Sequence, residues 1–187
     1  PTMGAIHNGH LSLMQRALNE NDVVVMSIFV NPTQFNNAED LDKYPRTLDR
    51  DVALIASLSD KIIVYAPTVE DIYEGNTVAQ KFDYDGLENE MEGANRPGHF
   101  DGVGTIVKKL FEIVQPNRAY FGEKDFQQLQ IIRKMVEKAQ MNIDIVGVPI
   151  YRQQDGLAMS SRNERLSEKA KAESVYLSEL LFSAQKL

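Results

Sequence analysis

Apolar positions follow two rhythms along this chain of 187 residues. Residues 23–30 (VVVMSIFV) are almost wholly apolar and rich in β-branched side chains, the pattern of a strand covered on both faces. Shorter runs at 62–65, 118–121 and 143–149 predict three more buried strands. Between them the apolar positions recur at helical spacing. Leu11, Met14, Ala17 and Leu18 mark one helix, and Leu48, Val52 and Ile55 a second. Val103, Ile106, Val107, Leu110 and Val114 give a strong amphipathic helix over 103–114, which Pro116 ends. Phe126, Leu129, Ile132, Val136 and Ala139 give another. Ser167 is a suitable N-cap for a last helix lined by Ala170, Leu177, Leu180 and Leu181. The middle is less regular: 77–84 suits an edge strand, 87–92 a short helix, and the Gly-, Asn- and Pro-rich stretch 93–102 a loop. Residues 31–46 and 151–165 are polar and predict loops.

Strands alternating with helices at this rhythm imply βαβ units and a parallel sheet, hence the α/β class. Ligands of such folds bind beyond the carboxyl ends of the strands. That rule directs the search for chemistry to 1–10, 31–46, 122–125 and 151–162.

Composition narrows the classes. The formal net charge of −7 argues against a general nucleic-acid binder, which needs a basic surface, but leaves room for a small anionic ligand. Cysteine is absent, so disulfides, zinc–thiolate sites and thiol nucleophiles are excluded, and a reducing cytoplasm fits. No apolar run approaches the ~18 residues of a membrane span, and no signal peptide is legible. The chain opens at Pro1 without a methionine and stops inside a helical pattern, so it reads as a fragment or as the ordered part of a longer chain.

Three clusters suit phosphate. His7, Asn8, Gly9 and His10 open a helix, whose unpaired amides and partial positive charge attract anions. Two imidazoles three apart add donors towards one anion, and Gly9 lets the backbone approach. Taken alone, two surface histidines and a turn glycine explain the same letters. Gly122, Glu123, Lys124 and Asp125 lie at a strand-to-helix switch, where Lys124 could reach a phosphate and Asp125 could orient it or a ribose hydroxyl. Met159, Ser160, Ser161 and Arg162 supply hydroxyls and a guanidinium for a polyphosphate. No Walker A loop is present. Gly102 and Gly104 lack the third glycine of a dinucleotide fingerprint and read as packing or turn glycines. With three histidines in all, a hydrolase triad or a metal site has little to draw on.

Residues 1–10 (PTMGAIHNGH) resemble the opening motif of the pantothenate synthetase family, within the His-x-Gly-His nucleotidyltransferase superfamily. The resemblance continues through 27–35 (SIFVNPTQF), 44–47 (YPRT), 92–100 (EGANRPGHF), 121–129 (FGEKDFQQL) and 156–163 (GLAMSSRN), in order over nearly the whole chain. It implies a Rossmann-like parallel sheet with helices on both faces over residues 1–150. Residues 151–187 would be the hinge, phosphate loop and first helix of a smaller lid domain. A central strand would precede Pro1. It implies an amide-forming ligase in which pantoate attacks the α-phosphate of Mg-ATP and β-alanine then displaces AMP. By that resemblance His7 and His10 contact the ATP phosphates, with His10 the proton donor. Met3, Gly4, Gly9, Gly122, Lys124, Asp125, Met159, Ser160, Ser161 and Arg162 complete the nucleotide site. Gln34 and Gln128 hold pantoate and β-alanine, and Tyr44 covers that pocket. Mg²⁺ arrives with ATP, and Asp49 or Asp51 either assists it or simply complements a helix dipole. A homodimer in the cytoplasm, with small-molecule substrates and neither nucleic acid nor membrane as partner, is also implied. A nucleotidyltransferase acting on a phosphorylated substrate would share the histidines but have no use for the two glutamines. A non-catalytic nucleotide sensor would not need His7, His10, Lys124 and Arg162 together.

Overall fold

A computed structural model describes residues 1–186, without the side chains of residues 164 and 165. Its elements run α1 (Asn8–Glu20), β1 (Val24–Ser27), α2 (Ala38–Asp42), α3 (Leu48–Leu58), β2 (Ile62–Tyr65), α4 (Val69–Tyr73), α5 (Met91–Asn95), α6 (His99–Val114), β3 (Arg118–Gly122), α7 (Phe126–Lys138), β4 (Asp144–Val148) and α8 (Glu168–Ala184). Short 3-10 turns stand at Pro32–Gln34, Leu87–Asn89, Glu123–Asp125 and Ser161–Arg165. This is the α/β architecture expected from the alternating rhythm.

The strands pair in parallel, β1 with β2 (Val24 opposite Ile62) and β3 with β4 (Arg118 opposite Asp144). Each parallel pair needs a crossover, and α3 and α7 supply them. Two apolar cores result. Met14 and Ala17 of α1 close on β1, β2 and Ile55 of α3. Val103, Ile106, Val107 and Leu110 of α6 pack with Leu129, Ile132 and Val136 of α7 against β3. β1 and β3 are not hydrogen-bonded to each other. A groove of about 920 Å³ runs between them, lined by both strands and by Leu13 and Met14 of α1. Thr2 pairs in parallel with Ile28 at its end: Thr2 N–H donates to Ser27 O and Phe29 N–H to Thr2 O, both at 2.9 Å.

Several expectations are corrected. Residues 77–84 are not a strand. Their polar groups are satisfied by α6 instead: Gln80 N–H donates to Thr105 Oγ1 (2.8 Å), Phe82 N–H to Asp101 Oδ1 (3.2 Å) and Tyr84 Oη to Phe100 O (2.8 Å). The stretch 93–102 is not a loop throughout, because α5 ends in it and α6 begins four residues before Val103. On α3 the buried face is Asp51 and Ile55, while Leu48 and Val52 are exposed. Phe126 is 57% exposed rather than packed under α7. On α8, Leu177, Leu180 and Leu181 are exposed, Leu180 by 67%. That helix instead leans on the hairpin at Arg152–Ala158, with the Arg152 guanidinium 4.9 Å from the Phe182 ring. Among the described residues no helix is long and apolar enough to cross a membrane.

Candidate active site

The site begins where the chain turns into α1. Gly4 and Ala5 both take left-handed backbone, φ +86° and +51°, before His7 caps the helix. The cap is built from the two imidazoles. His7 Nδ1 accepts from Gly9 N–H at 3.1 Å, and His10 Nδ1 accepts from His7 N–H at 3.3 Å. A spacing of three residues is what a reciprocal capping box requires. A nitrogen that accepts an amide carries no proton, so each neutral ring holds its proton on Nε2. The rings lie 4.0 Å apart between centroids. Gly9 is needed for this arrangement, since a Cβ there would stand 2.9 Å from His7 Cε1.

Burial, reinforced by nearby positive charge, pushes the His10 pKa down to about 3. At neutral pH His10 is an uncharged imidazole that can donate a hydrogen bond through Nε2.

Beyond β1 the chain enters the Pro32–Gln34 turn under close control. Asn31, 1% exposed, donates from Nδ2 to Gln34 Oε1 and to Gly102 O, each at 3.1 Å. Its Oδ1 accepts from Tyr73 Oη at 2.5 Å. The Gln34 side chain is thereby oriented with its Nε2 near Met3 Sδ, at 3.3 Å. From below, buried His99 meets Gln34 O through Nδ1 at 2.8 Å, and Arg96 donates to the same oxygen at 3.2 Å. Gly102 allows the approach, because a Cβ there would lie 2.3 Å from Thr33 O. Gly104 similarly makes room for Tyr84 Oη, so both glycines are packing glycines as expected. Tyr44 is buried, edge-on to Phe35.

At the end of β3 stand Lys124, whose Nζ is 3.2 Å from Asp125 Oδ1, and Gln128 in the first turn of α7. Neighbouring Gln127 is structural: it donates to Leu87 O and Glu90 O at 2.8 and 2.7 Å and accepts from Glu92 N–H. On the opposite wall Ser160 Oγ caps the turn at Ser161–Arg165, accepting from Arg162 N–H at 3.3 Å. The Arg162 guanidinium reaches across to Asp40, at 3.6 Å.

These groups line one cleft of about 410 Å³. It brings together Met3, His7, Gly9 and His10 with Gln34 and Tyr44. Gly122, Lys124, Asp125 and Gln128 line it too, as do Met159, Ser160, Ser161 and Arg162. Gly4, Asp49 and Asp51 do not line it. Asp51 is fully buried beneath the loop, its Oδ2 accepting from Ala5 N–H (2.9 Å) and its Oδ1 from Ile6 N–H (2.8 Å). Asp49 is exposed in the first turn of α3. Among the described residues no three acidic or histidine groups gather as a metal site. Asn31, Arg96 and His99 were given no role in the sequence reading, and Asp51 only that of a metal or dipole partner. Their hydrogen-bond partners lie 45 to 71 residues away, so no local pattern marks them.

Comparison with known proteins gives the family. A family model described as pantoate-beta-alanine ligase matches residues 1–186. The pantothenate synthetase of Flavobacterium psychrophilum is 65% identical over all 187 residues, and that of Staphylococcus haemolyticus 52%. The chain spans 66% of the length of the first relative and 65% of the second. A crystal structure of the pantothenate synthetase from Thermus thermophilus superposes with a TM-score of 0.91 at 48% identity, covering 97% of this chain and 66% of that one. The pantoate-beta-alanine ligase of Francisella tularensis, complexed with beta-gamma ATP and beta-alanine, gives 0.90 at 43% identity, covering 97% and 69%. This chain belongs to the pantoate–β-alanine ligase family.

Proposed function

We propose that the protein condenses pantoate with β-alanine through a pantoyl adenylate, releasing pyrophosphate and then AMP. The observation that carries this reading is the single cleft with two chemistries on its walls. Imidazoles, an ammonium, hydroxyls and a guanidinium line it, and so do the side-chain amides of Gln34 and Gln128. A carboxylate is a poor acyl donor, and adenylation gives it a good leaving group. The protein's task is then positioning and charge stabilisation. His7 and His10, neutral and with their protons on Nε2, donate to phosphate oxygens where negative charge grows in the transition state. Lys124 adds a point charge, Asp125 holds Lys124 or a ribose hydroxyl, and Ser160, Ser161 and Arg162 hold the polyphosphate. Met3, Gly9, Gly122 and Met159 shape the nucleotide pocket, and Gly4 shapes it from behind the lining. Gln34 and Gln128, each with a donor and an acceptor, hold pantoate, and Tyr44 closes that side.

The acidic side chains lining the cleft are Glu92 and Asp125. They make no cage for a divalent cation, so Mg²⁺ would be held by the nucleotide's own phosphates and water. We assign residues 1–150 to the nucleotide- and pantoate-binding domain and 151–187 to the start of a lid, which keeps water from the adenylate. We place the activity in the cytoplasm and in a homodimer, as the resemblance implies.

The test is pyrophosphate and AMP release by the full-length protein with Mg-ATP. Pantoate alone should release pyrophosphate, and AMP should follow only when β-alanine is added. AMP released with β-alanine in the absence of pantoate, or no response to pantoate with ATP still bound, would reject the ligase.

A further inference from the structure

We infer that Asp51 is a positioning residue that sets the His7–His10 loop in its working geometry. The inference rests on the ligase reading for its activity assay and on geometry for the rest. Asp51 lies on α3, more than forty residues from the loop, and is fully buried. Its two oxygens take the consecutive amides of Ala5 and Ile6, at 2.9 and 2.8 Å, and Oδ1 also accepts from Thr47 Oγ1 at 3.1 Å. Successive backbone amides turned to one side form an anion-binding nest. Here the nest is filled by the protein's own carboxylate and not by a ligand.

The consequence lies in the backbone it holds. Ala5 takes φ +51°, a left-handed conformation that costs an alanine free energy and that a glycine would adopt readily. Gly4, at φ +86°, is in backbone that a side chain would strain, and a Cβ would crowd Asp51 Oδ2 at 3.1 Å and Ile28 Cγ2 at 3.2 Å. Two residues further on, His7 caps α1, accepting from Gly9 N–H and donating its own N–H to His10 Nδ1. Asp51 therefore stabilises a strained entry that fixes where both imidazoles point. Near a reacting centre a displacement of about 1 Å can cost roughly 10²-fold in rate. Asparagine keeps the shape of Asp51 but turns an N–H₂ towards a backbone N–H, so one of the two amides loses its acceptor.

In the full-length enzyme, Asp51→Asn should lower kcat for pantoate-dependent pyrophosphate release roughly 10²-fold, with the KM for pantoate nearly unchanged. The imidazole NMR signals of His7 and His10 should shift in the folded variant. Adding Ala5→Gly to Asp51→Asn should restore part of the rate, because glycine tolerates the left-handed turn without the carboxylate. A kcat within twofold of wild type, or unmoved imidazole signals, would overturn the assignment. So would a rate loss carried by the pantoate KM. If Asp51→Asn does not fold, Thr47→Ala removes one donor to the same carboxylate. It should shift the two imidazole signals to a smaller extent, and unmoved signals there would overturn the assignment too. If the wild type itself shows no pantoate-dependent pyrophosphate release, the ligase reading fails, while the imidazole signals still decide the role of Asp51.

Discussion

A histidine that accepts a backbone amide through Nδ1 is fixed in tautomer as well as in place. His7 accepts the Gly9 amide and His10 the His7 amide at the start of α1, so the motif is a helix cap and a pair of Nε2 donors at once. Replacing His10 by alanine removes both functions. Adenylation should fall by about 10²–10³-fold, the usual loss for one preorganised donor, measured as pantoate-dependent pyrophosphate release. An unchanged rate would show that His10 is only a cap. Burial also holds His10 at about 3, below the ordinary histidine value of 6.5. Between those two values the unfolded chain binds a proton that the folded chain does not. Stability contributed by keeping His10 neutral is therefore intact above pH 6.5 and is lost as pH falls towards 3. Urea titrations at pH 7 and pH 5 should show that loss, and the His10→Ala variant should show less of it. Sequence made His7, His10, Lys124 and Arg162 legible because each sits in a contiguous motif. It did not reveal the roles of Asp51, Asn31 or His99, whose partners only folding brings near.

Among the elements, the buried strands and the α6 and α7 helices follow from periodicity, because their apolar stripes are continuous. The failures have physical causes. α3 turns a carboxylate inward, so its apolar positions Leu48 and Val52 misreport its buried face. Residues 77–84 find their hydrogen bonds on side chains of α6, which no strand pattern encodes. The Pro32–Gln34 turn depends on a glycine of α6. Gly102→Ala would place a methyl 2.3 Å from Thr33 O, against backbone that cannot rotate away. The turn carrying Gln34 must move. Overpacking of this kind costs about 1–3 kcal/mol, to be read from urea unfolding. The same variant should raise the KM for pantoate more than that for ATP, since Gln34 is proposed to hold pantoate. Equal KM values with lost stability would detach Gln34 from pantoate.

At the scale of the molecule, the groove between β1 and β3 and the exposed apolar face of α8 mark surfaces that the described residues do not cover. Thr2 pairs in parallel with Ile28 at the rim of that groove. The chain spans 66% of the length of its Flavobacterium relative. Neither surface was readable from periodicity, because an apolar face left unburied shows only in the folded chain. The cleft itself is shared between the carboxyl end of β3, the start of α1 and the 3-10 turn capped by Ser160 that carries Arg162. The step we propose for it is attack of a carboxylate on the α-phosphate.

That step is tested most directly with pantoate labelled with ¹⁸O in its carboxylate, turned over by the full-length protein with ATP and β-alanine. Attack at the α-phosphate carries one labelled oxygen into AMP, and mass spectrometry should find it there. Label in inorganic phosphate, with ADP as the nucleotide product, would mean an acyl phosphate and would contradict the account.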